Sequence, residues 1–95
     1  LPAVKRYANI AHILGLSNYN KVMSVRSLVN WIQFMQKEMN IPLTIEEMET
    51  ITPDAYFAAV DKMADMALAD ACTAANPRVP KKEDIVKIYT KLWSF

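Results

Sequence analysis

"ADACTAANPRVPKKEDIVKIYTKLW", residues 69–93, decides the fold class. It opens on the end of an alanine-rich helix, passes through a loop stiffened by Pro77 and Pro80, and closes on a full helix with Ile85, Val86, Tyr89, Leu92 and Trp93 as its apolar face. The two prolines keep residues 76–80 extended, and Glu83 and Asp84 sit where the positive end of a helix dipole favours them. Nothing in the stretch alternates with period two, so it offers a helix–loop–helix and no strand.

The same period runs outward to the N-terminus. Thr52 and Pro53 fit the N-cap and first position of the preceding helix, whose buried side is Tyr56 or Phe57, Val60, Met63, Ala64, Ala67 and Leu68. Before it, Thr44 and Glu47 in "LTIEEMETITPDAYF" have the spacing of a capping box and predict one short helical turn. Val22, Val25, Val29, Ile32, Met35 and Met39 form a stripe on a longer helix, widened by Leu28 and Trp31. Asn18 or Asn20 caps its start, and Pro42 ends it near Asn40. At the start of the chain, Pro2 suits a first turn, Val4, Tyr7, Ala8, Ala11 and Leu14 recur at helical spacing, and Gly15 supplies a left-handed stop. The expectation is an all-α bundle of four main helices and one short one.

Composition narrows the function classes. Ninety-five residues suffice for one domain with a modest core, and are too few for a nucleotide domain joined to a catalytic one. Eleven Lys and Arg against ten Asp and Glu give no field that would gather nucleic acid or an anionic membrane face. One cysteine excludes an internal disulfide, and no apolar run reaches the roughly 18 residues of a membrane span. Lys5, Arg6, Asn9 and His12 break the N-terminal pattern that a signal peptide needs, so the chain reads as cytoplasmic. Apolar residues nevertheless make up 53% of it, with six Met and two Trp, which implies a covered face or an exposed patch.

Most searches for chemistry fail. A chain with one glycine can build neither a GxGxxG turn nor a phosphate loop. His12 is the only histidine, which leaves a metal site made of carboxylates alone, and it reads better as a flank residue of the first helix. A Cys72 nucleophile would need that histidine as its base, some sixty positions away in sequence. The methionines at helical spacing read as core filler. From the residues alone, then, catalytic, metal and cofactor positions are all empty.

Three blocks in register change the reading. "RYANIAHILGL" (residues 6–16), "NIPLTIEE" (40–47) and the stretch from residue 69 to 93 together resemble the C-terminal portion of the iron-dependent, or group III, alcohol dehydrogenases. The most specific part is Cys72, Thr73, Asn76, Pro77 and Arg78, followed by Lys82, Glu83, Asp84 and Ile85. "NIPLTIEE" is also similar to the alcohol dehydrogenase half of bifunctional aldehyde and alcohol dehydrogenases, and the subfamily stays open.

The resemblance implies an enzyme larger than this segment. Such enzymes pair an N-terminal NAD- or NADP-binding domain with an all-helical C-terminal domain, and hold Fe2+ or Zn2+ with one Asp and three His that precede the segment matched here. Residues 1–95 would be a single all-helical segment from the end of that catalytic domain, lacking metal ligands and cofactor site and inactive alone, with the rest of the dehydrogenase chain as its partner. The resemblance makes Cys72 and Thr73 cleft-lining residues near substrate and nicotinamide, with no nucleophilic role for the thiol. Asn76, Pro77 and Arg78 read as a structural turn that launches the last helix.

Two departures stand out. Lys81 occupies the place where relatives commonly have a capping Ser or Thr, so the last helix should fray or begin differently. "IEEMETITP" lacks the glycine that relatives often have there, which puts the turn around Thr50. Beside the dehydrogenase reading stands an alternative: an independent all-helical interaction module without catalysis, using its apolar excess to bind a partner or itself.

Overall fold

Helix α1 (Val4–Ile13) ends in a hydrogen-bonded stop that Gly15 makes possible. The Leu16 N–H donates to the Ala11 carbonyl at 2.7 Å and the Gly15 N–H to the His12 carbonyl at 3.0 Å, with Gly15 at φ +76°. That is the Schellman arrangement, and a side chain on residue 15 would strain it. This geometry comes from a computed structural model, which describes residues 3–94. The predicted role of Pro2 lies outside them.

Helix α2 (Lys21–Glu38) starts at Asn20, the second of the two candidate caps, whose side chain accepts the Met23 N–H at 2.9 Å. It ends as α1 does. The Ile41 N–H reaches the Gln36 carbonyl at 2.8 Å, the Asn40 N–H reaches Lys37 at 3.1 Å, and Asn40 takes φ 57°. Asparagine is among the few residues with a side chain that adopt this conformation readily. The stop therefore needs Asn40 as well as Pro42.

The chain divides into two compact units, one up to Leu43 and one from Thr44. In the first, α1 packs on α2, and its buried residues are Ala8, Ala11, Ser24 and Leu28. The predicted α2 stripe is corrected here. Val22, Val29, Ile32 and Met39 are exposed, while Ser24 and Leu28 are buried and Trp31 and Met35 half-buried. The helix has apolar residues on two faces, and the one that packs on α1 carries Ser24 and Leu28. Ser24 is accommodated because its hydroxyl accepts the Asn18 N–H at 2.8 Å and donates to the Asn20 carbonyl at 3.0 Å. On α1, Tyr7 and Leu14 are likewise exposed rather than on the buried face.

The second unit begins with a 3-10 turn, Glu46–Met48, where Thr44 Oγ1 accepts the Glu47 N–H at 3.3 Å. Glu49, not Thr50, makes the turn that follows, at φ 55° with its N–H on the Glu46 carbonyl. A non-glycine residue there costs about 1–2 kcal/mol. Helix α3 (Pro53–Ala69) is capped by Thr52, which accepts the Ala55 N–H at 3.2 Å. Helix α4 (Lys82–Trp93) packs on α3. Tyr56, Val60, Ala64 and Ile85 form the buried centre, with Met63, Ala67, Leu68, Val86, Tyr89 and Trp93 half-buried around it.

Tyr56 resolves the choice between neighbouring aromatics: it is 6% exposed and Phe57 44%. Its hydroxyl donates to the Tyr89 carbonyl at 2.6 Å, and its ring lies 5.3 Å from that of Trp93 and 5.4 Å from that of Phe57. The Ile45 N–H donates to the Leu92 carbonyl at 2.9 Å, joining the opening segment of this unit to the end of α4. Among the described residues the structure is thus all-α, with four helices, the expected short turn, and a second 3-10 turn at Thr73–Ala75 that periodicity did not anticipate. Among the described residues, no helix is long and apolar enough to cross a membrane.

Candidate functional site

The loop between α3 and α4 is built by side chains bonding its own backbone. Asp70 leaves the helix extended, and its Oδ1 accepts the Cys72 N–H at 2.8 Å. That brings Thr73 back over the end of α3, where its hydroxyl donates to the Ala67 carbonyl, which also accepts the Asp70 N–H at 3.3 Å. The Asn76 side-chain amide donates to the Arg78 carbonyl, closing the turn around Pro77. Each short polar side chain supplies a bond that regular structure would otherwise provide.

The departure at Lys81 now has a physical outcome. Lysine offers no acceptor, so Asp84 does the capping from inside the helix, its Oδ2 taking the Lys81 N–H at 2.9 Å. Arg78 adds its guanidinium at 3.3 Å to both oxygens of the same carboxylate. The Lys81 N–H bond, with help from Arg78 and the nearby lysines, holds the Asp84 carboxyl below the usual range. Lys82 bridges to α3, with Nζ 2.8 Å from Asp61 and 3.0 Å from Asp65, and those two hydrogen bonds raise its pKa. Instead of fraying, α4 starts at Lys82, tied both to the loop and to α3.

Loop and helices together enclose an open concavity of about 670 Å³. Cys72, Thr73 and Asn76 line it, with Asp70, Ala67, Pro80, Ile85, Ile88 and Tyr89. The sequence singles out the first three in the loop but does not join them to Asp70 or to the α4 wall. The spacing of Ile85, Ile88 and Tyr89, at three and four, was the available signal. Pro77 and Arg78 do not belong to the lining. Cys72 is exposed, and no histidine lines the concavity; His12 is an exposed residue in the last turn of α1.

Among the described residues, no three His, Cys, Asp or Glu side chains converge in a way that would hold a metal ion. The described groups therefore do not fit a metal centre, and the concavity is lined by one thiol, one carboxylate, the polar side chains of Thr73, Asn76 and Tyr89, and the apolar Ala67, Pro80, Ile85 and Ile88.

Comparison with known proteins matches residues 2–93 to the Fe-containing alcohol dehydrogenase family, C-terminal. The aldehyde-alcohol dehydrogenase of Clostridium acetobutylicum is 33% identical over 84 residues, covering 88% of this chain and 10% of the relative. The NADPH-dependent butanol dehydrogenase of Clostridium saccharobutylicum is 34% identical over 87 residues, 92% of this chain and 22% of the relative. The bifunctional aldehyde-alcohol dehydrogenase of Escherichia coli is 36% identical over 88 residues, 90% of this chain and 10% of the relative. The chain thus spans between a tenth and about a fifth of the length of these curated relatives. With nearly all of its residues inside the match and its helices in the expected order, the chain belongs to the Fe-containing alcohol dehydrogenase family, as its C-terminal, helical part.

Proposed function

We propose that this chain is the end of the helical domain of a metal-dependent, NAD(P)-dependent alcohol dehydrogenase, and that the concavity beside Cys72 is part of the wall of its catalytic cleft. The observation that supports this most directly is that Cys72, Thr73 and Asn76, from the block most specific to the family, line one open concavity. The reaction is the interconversion of an alcohol with its aldehyde or ketone by hydride transfer. Fe2+ or Zn2+ and a nicotinamide dinucleotide, held by other parts of the complete enzyme, would supply the chemistry.

Within that reading the residues here have bounded tasks. Cys72 and Thr73 line the cleft; Asn76, Pro77 and Arg78 set the turn that carries them and leads into α4. The segment alone is inactive, its partner is the rest of the dehydrogenase chain, and its place of work is the cytoplasm. Exposed apolar side chains, including Ile13, Val22 and Met66, suit surfaces that the rest of such a chain would cover. The same exposure favours a second reading, an independent helical interaction module that associates through those faces.

Intact mass and an alcohol oxidation assay on one sample, as the cell produces it, separate the two. A mass several times 10.8 kDa with nicotinamide-linked alcohol oxidation is the expected result. A metal-free, inactive protein of 10.8 kDa would sink the dehydrogenase reading and leave the interaction module.

A further inference from the structure

We infer that the outer side of α2 is a basic docking face, and that its occupant is the acidic start of the second unit in another copy of this chain. The near-balance of charge over the whole sequence conceals a sharp division. Residues 1–37 hold Lys5, Arg6, Lys21, Arg26 and Lys37 and no Asp or Glu. Residues 38–61 hold Glu38, Glu46, Glu47, Glu49, Asp54 and Asp61 and no Lys or Arg. The unit that ends at Leu43 therefore carries four net positive charges and the unit from Thr44 three net negative ones, which together leave the chain at +1.

Helical spacing decides where the positive charge lies. At about 100° per residue, Arg26 and Lys37 fall on the side of α2 opposite the buried Ser24 and Leu28, together with Val22 and Val29, and all four are exposed. The unit holds one carboxylate, Glu38, against five cations, so its own residues cannot neutralise that face. In the second unit, Glu46 and Glu49 flank the exposed Met48 in the opening turn, and Asp54 follows in the first turn of α3 between the exposed Ile51 and Phe57. The two faces have the same make-up with opposite sign. Contact between copies pairs their charges and removes apolar surface from water in one step. An anionic lipid surface would attract the first unit and repel the second, which is covalently joined to it. The inference goes beyond the dehydrogenase reading and does not rest on it.

The test is sedimentation equilibrium of the protein as the cell produces it, over a concentration series at about 0.01 M and about 1 M salt, where the Debye length falls from about 30 Å to about 3 Å. Association is expected to weaken by about tenfold or more at the higher salt. Arg26→Glu with Lys37→Glu weakens the low-salt association by a similar factor, because two exposed pairs worth roughly fivefold each at most become repulsive. Glu46→Lys with Glu49→Lys does the same from the other side. Mixing the two double variants restores association, since each then meets opposite charge on the other. Thermal melting checks that both fold; where one does not, the wild-type salt series decides alone.

Association equal at both salt levels, unchanged by either charge reversal, or not restored on mixing overturns the proposal. So does a protein that stays unassociated and sediments with phosphatidylserine-containing vesicles, a result that gives the basic face to lipid instead. Alcohol oxidation measured on the same samples keeps the two readings apart. An active enzyme whose association ignores salt and charge reversal removes this proposal alone, and salt-dependent, mixing-rescued association without alcohol oxidation upholds it while removing the dehydrogenase reading.

Discussion

Removing one oxygen atom from Tyr56 tests how the second unit is held together. In Tyr56→Phe the ring keeps its neighbours Phe57 and Trp93, while the hydrogen bond from the hydroxyl to the Tyr89 carbonyl, 2.6 Å long, is lost. That bond joins α3 to α4 at a residue only 6% exposed, so water cannot fully replace it. A net intramolecular hydrogen bond is worth about 0.5–1.5 kcal/mol, and for a domain of this size 1 kcal/mol lowers Tm by about 4–8 °C. Far-ultraviolet circular dichroism of the 95-residue chain, melted at neutral pH, gives the shift directly.

The phenol also carries a pH signature. Burial, and then the neighbouring Tyr89, push the Tyr56 pKa above its ordinary 10.0. The folded state thus holds this proton more tightly than the unfolded state does. The associated stability is complete below about pH 10 and is lost as pH rises through the folded value. Wild type and Tyr56→Phe should converge in Tm over that alkaline range. A Tm difference at neutral pH below about 1 °C, far under the 4–8 °C expected per kcal/mol, would refute the assignment of the hydroxyl as an inter-helix tie.

Three further outcomes follow from other residues. Leu28→Ala, at a 6% exposed position, costs about 2–5 kcal/mol in urea unfolding, whereas Val29→Ala, 47% exposed, costs much less. Asp84→Asn weakens the start of α4. Because the Asp84 pKa is depressed, chiefly by the Lys81 N–H, its stabilisation is present above about 3.8 and fades as pH falls through the folded value, so the two proteins converge in acid. Lys82→Gln loses the bridges to Asp61 and Asp65. The wild-type advantage in urea midpoint shrinks on going to about 1 M salt, where the Debye length is near 3 Å, and disappears as pH rises from about 10.5 through the raised lysine pKa.

What the sequence made legible was local chemistry. Thr52 with Pro53, Asn20, Asn40 and Gly15 mark helix ends in the chain and in the structure, because a cap depends on residues three or four positions away. The buried face of α2 was not legible. Both faces are apolar, the choice depends on what α1 presents, and the residue at its centre is Ser24, whose polarity is answered by Asn18 and Asn20. Composition could not reveal that a serine would be buried while Val22 and Val29 were not. The Thr73–Ala75 turn escaped for a different reason, since three residues set no period. At the site, the loop residues stood out by resemblance. Their meeting with Ile85, Ile88 and Tyr89 depends on how α4 docks on α3, which no single segment encodes.

The bond from Ile45 to Leu92 gives the second unit a property beyond its strength. Ile45 lies in a segment of short turns, where amides ordinarily exchange with solvent almost at once, yet its N–H is taken by a carbonyl in the last turn of α4. For that amide to exchange, the end of α4 must first lift away. Its hydrogen-exchange rate is therefore a clock for opening at the opposite end of the unit, readable from a single slow proton among fast neighbours.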